Sequence, residues 1–166
     1  MDISELLANR IAPFEIADEK LKRLFSYYLH LAPTIESAFA AAIPSIRIQQ
    51  LWVQVVGDLS LTEKEFRFYK VGNIKQNQLA AIRLSDTNRI EKKGRRMICY
   101  YKDTVEQEIP CLLRHLRNAI AHGNVFGVLS KNRKYILFDD YNKSGNHTAR
   151  VLFTQTDLEK IRRRLK

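Results

Sequence analysis

Apolar positions recur first at helical spacing. In ADEKLKRLFSYYLHLA, residues 17 to 32, Leu21, Leu24, Phe25, Tyr28 and Leu31 share one face, and Asp18 and Glu19 stand where a helix start favours acids. This predicts an amphipathic helix. The pattern repeats in TIESAFAAAIPSIRIQQLWVQVV through Ile35, Phe39 and Ile43. It then meets Pro44, which lacks an amide hydrogen and should kink or divide the helix. Beyond it Ile48, Leu51, Trp52 and Val55 again lie on one face. Residues 57 to 76 have weaker periodicity, although Thr62 followed by Glu65 and Phe66 has the form of a capping box opening a short helix. NQLAAIRLSDTNRIEKKGRRMICYYKDT reads as helical in two pieces around Ser85 to Asn88. VEQEIPCLLRHLRNAIAHG reads as a helix that starts or kinks at Pro110 and stops at Gly123, a C′ glycine.

After that glycine the period changes. VFGVL, KYILFD and ARVLF are short β-branched or aromatic runs separated by SKNR and DYNKSGNHT, which carry turn residues. They predict a small antiparallel meander. TQTDLEKIRRRLK then opens on a Thr156 to Glu159 capping box and places Leu158, Ile161 and Leu165 on one face. The expected fold is mainly α: one domain over 1–166, with a bundle of four or five helices over 1–123, a β appendage over 124–153 and a short final helix over 154–166. No repeat or linker interrupts it.

Composition narrows the partners. At 166 residues and 45% hydrophobic content the chain can bury a core. Cys99 and Cys111 lie among apolar neighbours without C-x-x-C or Cys/His spacing, so they are expected to be buried, reduced thiols, and no metal or cofactor is expected. MDISELLANR lacks the apolar stretch of a secretory leader, and no run is long enough to span a bilayer, so a cytoplasmic protein without a membrane partner is expected. Lys and Arg number 28 against 18 Asp and Glu, a formal charge of +10, which favours a polyanion and above all a nucleic acid. The EKKGRR cluster supplies Lys92, Lys93, Arg95 and Arg96 as candidate RNA contacts; a merely solvated charged face is the alternative.

The densest chemistry lies in RNAIAHGN, residues 117 to 124. On a helix Asn118 and His122 share a face, while Arg117 is turned about 140° from His122. Requiring Asn after the Arg and Gly after the His lowers the chance frequency of such a motif by roughly two orders of magnitude. Histidine exchanges protons near neutrality, and arginine offers a charged fork to two phosphate oxygens. Arg114 lies three residues before Arg117 and can extend the basic surface. His115, seven before His122, is a weaker candidate. His30 and His147 read as structural or exposed.

Arg117, Asn118 and His122 resemble the signature of the HEPN superfamily: Arg, a polar residue, further residues, then His. The resemblance implies a helical domain that dimerises through the motif helix, so that two copies form one cleft. The implied chemistry is metal-independent RNA cleavage with Arg117, Asn118 and His122 as catalytic residues, in a toxin or phage-defence effector that an antitoxin protein can hold in check. Toxins of that superfamily paired with minimal nucleotidyltransferases carry a tyrosine four residues after the His. Phe126 stands there in this chain, so that route of neutralisation is in doubt, with Tyr135 or Tyr141 as other possible sites. Other readings are a non-catalytic RNA-binding or protein-interaction module, DNA binding through the basic final helix, and a structural role for His122 as a cation at a helix C-terminus bonded by Asn118.

Overall fold

The computed structural model describes residues 2–12, 16–31, 45–85, 94–129 and 134–165. Among them the elements are α1 (Ile3–Leu7), α2 (Glu19–Ser26) running into a π turn (Tyr27–Leu31), and α3 (Ser45–Leu59). Next come β1 (Phe66–Tyr69), α4 (Gln76–Ala81), β2 (Arg96–Tyr100) and α5 (Glu108–Ala121). β3 (Val125–Leu129), β4 (Lys134–Tyr141), β5 (His147–Thr154) and α6 (Gln155–Leu165) complete the chain.

The expected mainly α bundle is corrected here, because the organising element is a five-stranded mixed sheet in the order β1-β2-β5-β4-β3. β1 runs parallel to β2, and the other pairs are antiparallel. The expected meander is present as β3, β4 and β5, but it is continuous with β2 and β1 and is not an appendage. RMICY, expected to be helical, is strand β2, buried along its whole length. A strand covered on both faces shows a continuous apolar run without alternation, which local pattern does not separate from a buried helix. FRFY, in the stretch of weak periodicity, is strand β1. Thr62 and Glu65 do join side chains, Thr62 Oγ1 to Glu65 Oε1 at 2.9 Å, but the turn they close leads into β1.

Each face of the sheet meets helices. Met97, Cys99, Ile136, Phe138, Ala149, Val151 and Phe153 point to one side, where they pack with Leu24 and Phe25 of α2, Val55 of α3, Leu112 and Leu116 of α5 and Leu158 and Ile161 of α6. Ile98, Tyr100, Leu137 and Leu152 point to the other, against Ile3 and Leu6 of α1 and Leu79 of α4. Several expected faces are observed. Asp18 caps α2 by accepting from the Leu21 amide at 3.0 Å, and Ile48, Leu51 and Trp52 pack partly buried against the first core. Ile35, Phe39, Ile43 and Pro44 lie outside the described residues.

The ends of α5 and the start of α6 are set by specific residues. Pro110 is the third residue of α5, inside the first turn, where no intrahelical donor is required of it. At the other end Gly123 has φ +69, and the amides of Gly123 and Asn124 return to the carbonyls of Ile120 and Ala119 at 3.1 and 2.8 Å. This is a Schellman stop, as the glycine predicted. The capping box of α6 falls two residues earlier than expected: the Thr154 amide donates to Asp157 Oδ2 at 2.9 Å, and the Asp157 amide to Thr154 Oγ1 at 3.1 Å. Glu159 instead accepts from Arg162 and Arg163.

Phe138 sits at the middle of the first core, 1% exposed, with its ring edge-on to Phe25 at 5.9 Å. Phe138→Ala is expected to lower unfolding free energy by about 3–5 kcal/mol, the cost of an aromatic removed from a packed core. Val53→Ala, at a position 69% exposed on α3, should stay within about 0.5 kcal/mol. Urea denaturation midpoints check both.

Candidate functional site

The fourfold spacing of Arg114, Asn118 and His122 puts them on one stripe of α5. That stripe forms a wall of a groove of about 980 Å³. The C-terminal end of β2 with Tyr101 and Lys102, the end of β4 with Asp140 and Tyr141, the turn residues Asn142 and Lys143 with Thr148 of β5, and the loop Lys70–Gly72 after β1 supply the other walls. His122 is the C-cap of α5 and is exposed. Arg117, a 100° step from Asn118 along the helix, is half-buried on the flank of α5 and is not among the groove's described lining residues.

Beneath this wall lies His115, 1% exposed. Its Nδ1 is 2.7 Å from Asp140 Oδ2 and its Nε2 is 2.8 Å from the Tyr100 carbonyl oxygen. Both partners are acceptors, so both ring nitrogens donate and the ring is an imidazolium. Burial is the largest influence and opposes that charge, but the hydrogen bond to Asp140 together with the interactions of Cys111 outweighs it, and the pKa is raised to about 9. Asn118 Nδ2 donates to the same Asp140 Oδ2 at 3.3 Å. The motif asparagine is thus oriented by strand β4 and not by His122. Among the described residues Asp140 Oδ1 is buried with no hydrogen-bond partner.

Arg114 is engaged inside the fold. Its Nε and Nη2 donate to Glu106 Oε1 and Oε2 at 2.7 and 3.0 Å, and Nη2 reaches the Tyr100 carbonyl at 3.1 Å. Burial alone would raise the Glu106 carboxyl; the Arg114 guanidinium and the Lys102 amide outweigh it and hold the pKa below the ordinary value. The guanidinium lies 3.3 Å from His115 Nε2, a like-charge contact that Glu106 offsets.

The other basic candidates are elsewhere. Arg95 spans from the Leu59 carbonyl (2.5 Å) to Asp157 Oδ1 (3.0 Å), and Arg96 is 8% exposed at the start of β2. Four residues of extended chain, about 13 Å, separate Arg96 from the groove end of the strand. Lys92 and Lys93 lie outside the described residues. In their place the groove is lined by Lys70, Lys102 and Lys143, all exposed. None of these, nor Asp140 and Tyr141, stands out in the sequence as an RNA contact. The one signal for Asp140 is the pair Asp139–Asp140 closing an otherwise apolar strand, where a buried carboxylate needs a partner.

The remaining candidates have partners of their own. Arg10 donates from Nε to the Gly123 carbonyl at 2.6 Å, so a cation other than His122 satisfies the end of α5. Phe126 is half-buried against the second core, and Tyr135 packs there too. His147 Nε2 donates to Asp139 Oδ1 at 2.7 Å. Cys99 and Cys111 are free, buried thiols, and a hydrogen bond with Cys99 together with burial raises the pKa of Cys111. Among the described residues no three His, Cys, Asp or Glu side chains are grouped to hold a metal ion, and no helix is long and apolar enough to cross a membrane.

Residues 11–166 match the family described as HEPN pEK499 p136. No curated protein and no solved structure matches the chain.

The His115 ion pair has a pH signature. Folding raises its pKa, so the pair's full stabilisation is present below about pH 6.5, the unfolded value, and is lost as pH rises through about 9. The loss is on the order of 3 kcal/mol. Denaturant unfolding of wild type should show this decline over that window, and His115→Gln should lack it. Parallel pH profiles for the two proteins would contradict a charged His115.

Proposed function

The chain belongs to the HEPN superfamily, in the family described as HEPN pEK499 p136, and on that premise we propose that it is a metal-independent endoribonuclease working as a homodimer, the effector of a toxin–antitoxin or phage-defence system. The observation that carries this reading is that Asn118 and His122 line one groove with exposed lysines at the exposed end of α5. In the reaction a base removes the proton of a ribose 2′-hydroxyl. The oxygen attacks the adjacent phosphorus, and the 5′-oxygen leaves with a proton. The products carry a 2′,3′-cyclic phosphate and a 5′-hydroxyl. His122 is the side chain suited to proton transfer. Asn118, aimed by Asp140, orients the phosphate or the imidazole.

Arg117 requires the second chain. A helix that presents His122 to the groove turns Arg117 away by about 140°, and a partner docked along α5 can bring its own Arg117 to that cleft. There the guanidinium stabilises the charge building on the phosphorane. The competing reading, a domain that binds RNA without cutting it, draws on the same turning away of Arg117.

Incubation of RNA with the protein in excess EDTA is expected to give products ending in 2′,3′-cyclic phosphate. Intact, retained RNA would favour the binding module. Arg117→Ala and His122→Ala homodimers should each lose roughly 10²-fold or more in rate. Mixing the two should recover at least a few per cent of wild-type rate once native mass spectrometry shows mixed dimers. Mixed dimers as inactive as the parents would refute the shared cleft.

A further inference from the structure

The part of the groove lining that α5 does not supply has its own chemistry. Five large apolar side chains among the described residues are exposed, and two of them, Val71 and Tyr141, line this groove. Tyr141 is 41% exposed and follows Asp140 at an irregularity in the β4–β5 ladder. Such irregularities re-aim side chains. Its ring stacks on His147, with centroids 4.7 Å apart and planes 18° from parallel. His147 is in turn fixed by Asp139, which is 2% exposed and takes bonds of 2.9 and 3.1 Å from Arg150. The tyrosine is therefore an exposed aromatic shelf on a rigid support, and little side-chain freedom remains to be lost on binding.

We infer that this shelf binds an unpaired nucleobase of a single-stranded RNA, stacked on Tyr141, while Lys70, Lys102 and Lys143 hold the flanking phosphates. The inference rests on reading the groove as an RNA site and adds its substrate class. Lysines around an exposed ring complement a chain that carries a phosphate and an aromatic face in every unit. A duplex keeps its bases stacked on one another and offers no such face. Because every base has one, the shelf tolerates sequence.

The test uses binding without chemistry. A fluorescein-labelled RNA dodecamer without self-complementarity, 2′-O-methylated throughout, cannot supply the attacking hydroxyl, so fluorescence anisotropy reads affinity alone. Wild type should bind the single strand more tightly than the same strand annealed to its complement. Tyr141→Ala should weaken single-strand binding by about 5- to 100-fold, the value of one stacked base, with its log–log salt slope unchanged. Tyr141→Phe, which keeps the ring, should stay within about threefold. Each Lys→Ala variant at 70, 102 or 143 should instead flatten the slope by about 0.7, the release expected for one phosphate contact on a single strand. Equal affinity of Tyr141→Ala and wild type overturns the inference. So do a Tyr141→Phe as weak as Tyr141→Ala, a duplex bound as well as the single strand, and a wild type that binds neither. A wild type that binds through Tyr141 but cuts no RNA leaves the shelf standing and removes the ribonuclease reading; one that cuts RNA without using Tyr141 does the reverse.

Discussion

One buried side chain fixes the orientation of the motif helix. His115 donates to the Tyr100 carbonyl at the end of β2 and to Asp140 on β4, so a single imidazolium joins α5 to two strands that are not neighbours in the sheet. A charge at 1% exposure is tolerated only with both donors satisfied and a counter-charge in contact. That requirement leaves α5 one rotation about its axis. Asn118 and His122, three and seven residues on, then face the groove, and Arg117, two residues on, does not. The same Asp140 oxygen that receives His115 also receives Asn118, so the charge pair and the motif asparagine share an anchor.

The distribution of charge obeys a comparable logic. Three arginines are spent inside the fold: Arg95 with Asp157, Arg114 with Glu106, Arg150 with Asp139. A planar guanidinium can meet a carboxylate through two parallel bonds and is less strongly hydrated than an ammonium, which suits it to these partly buried pairs. The lysines that line the groove are exposed. The net charge of +10 thus indicates the class of partner, while the surface that meets it is set by which cations the fold has already used.

Helical periodicity locates α2, α3, α5 and α6 because each buries one stripe against the sheet, and a single buried stripe is what a local pattern records. Gly123 and the alternating runs after it mark the end of α5 and the three-strand meander for the same reason: turn chemistry and period are local. β2 escapes such a reading because a strand covered on both faces loses its alternation, and β1, a partly buried edge strand of 4 residues, is too short to show a period. The constraint that makes them strands, burial by α1 and α4 on one side and α2, α3 and α5 on the other, does not exist until the chain has folded.

The candidate site divides in the same way. The sequence by itself determined that Asn118 and His122 share a face, that Arg117 does not, and that the motif ends a helix, since these follow from 3.6 residues per turn and a terminal glycine. The tertiary structure alone decided that Arg95 and Arg114 are engaged by carboxylates and carbonyls, that Arg96 is buried, and that Lys70, Lys102, Lys143, Asp140 and Tyr141 surround the groove. Those residues come from a loop, a strand end and a turn between 18 and 52 positions away from His122. Long-range packing, with no local periodicity to announce it, brings them together.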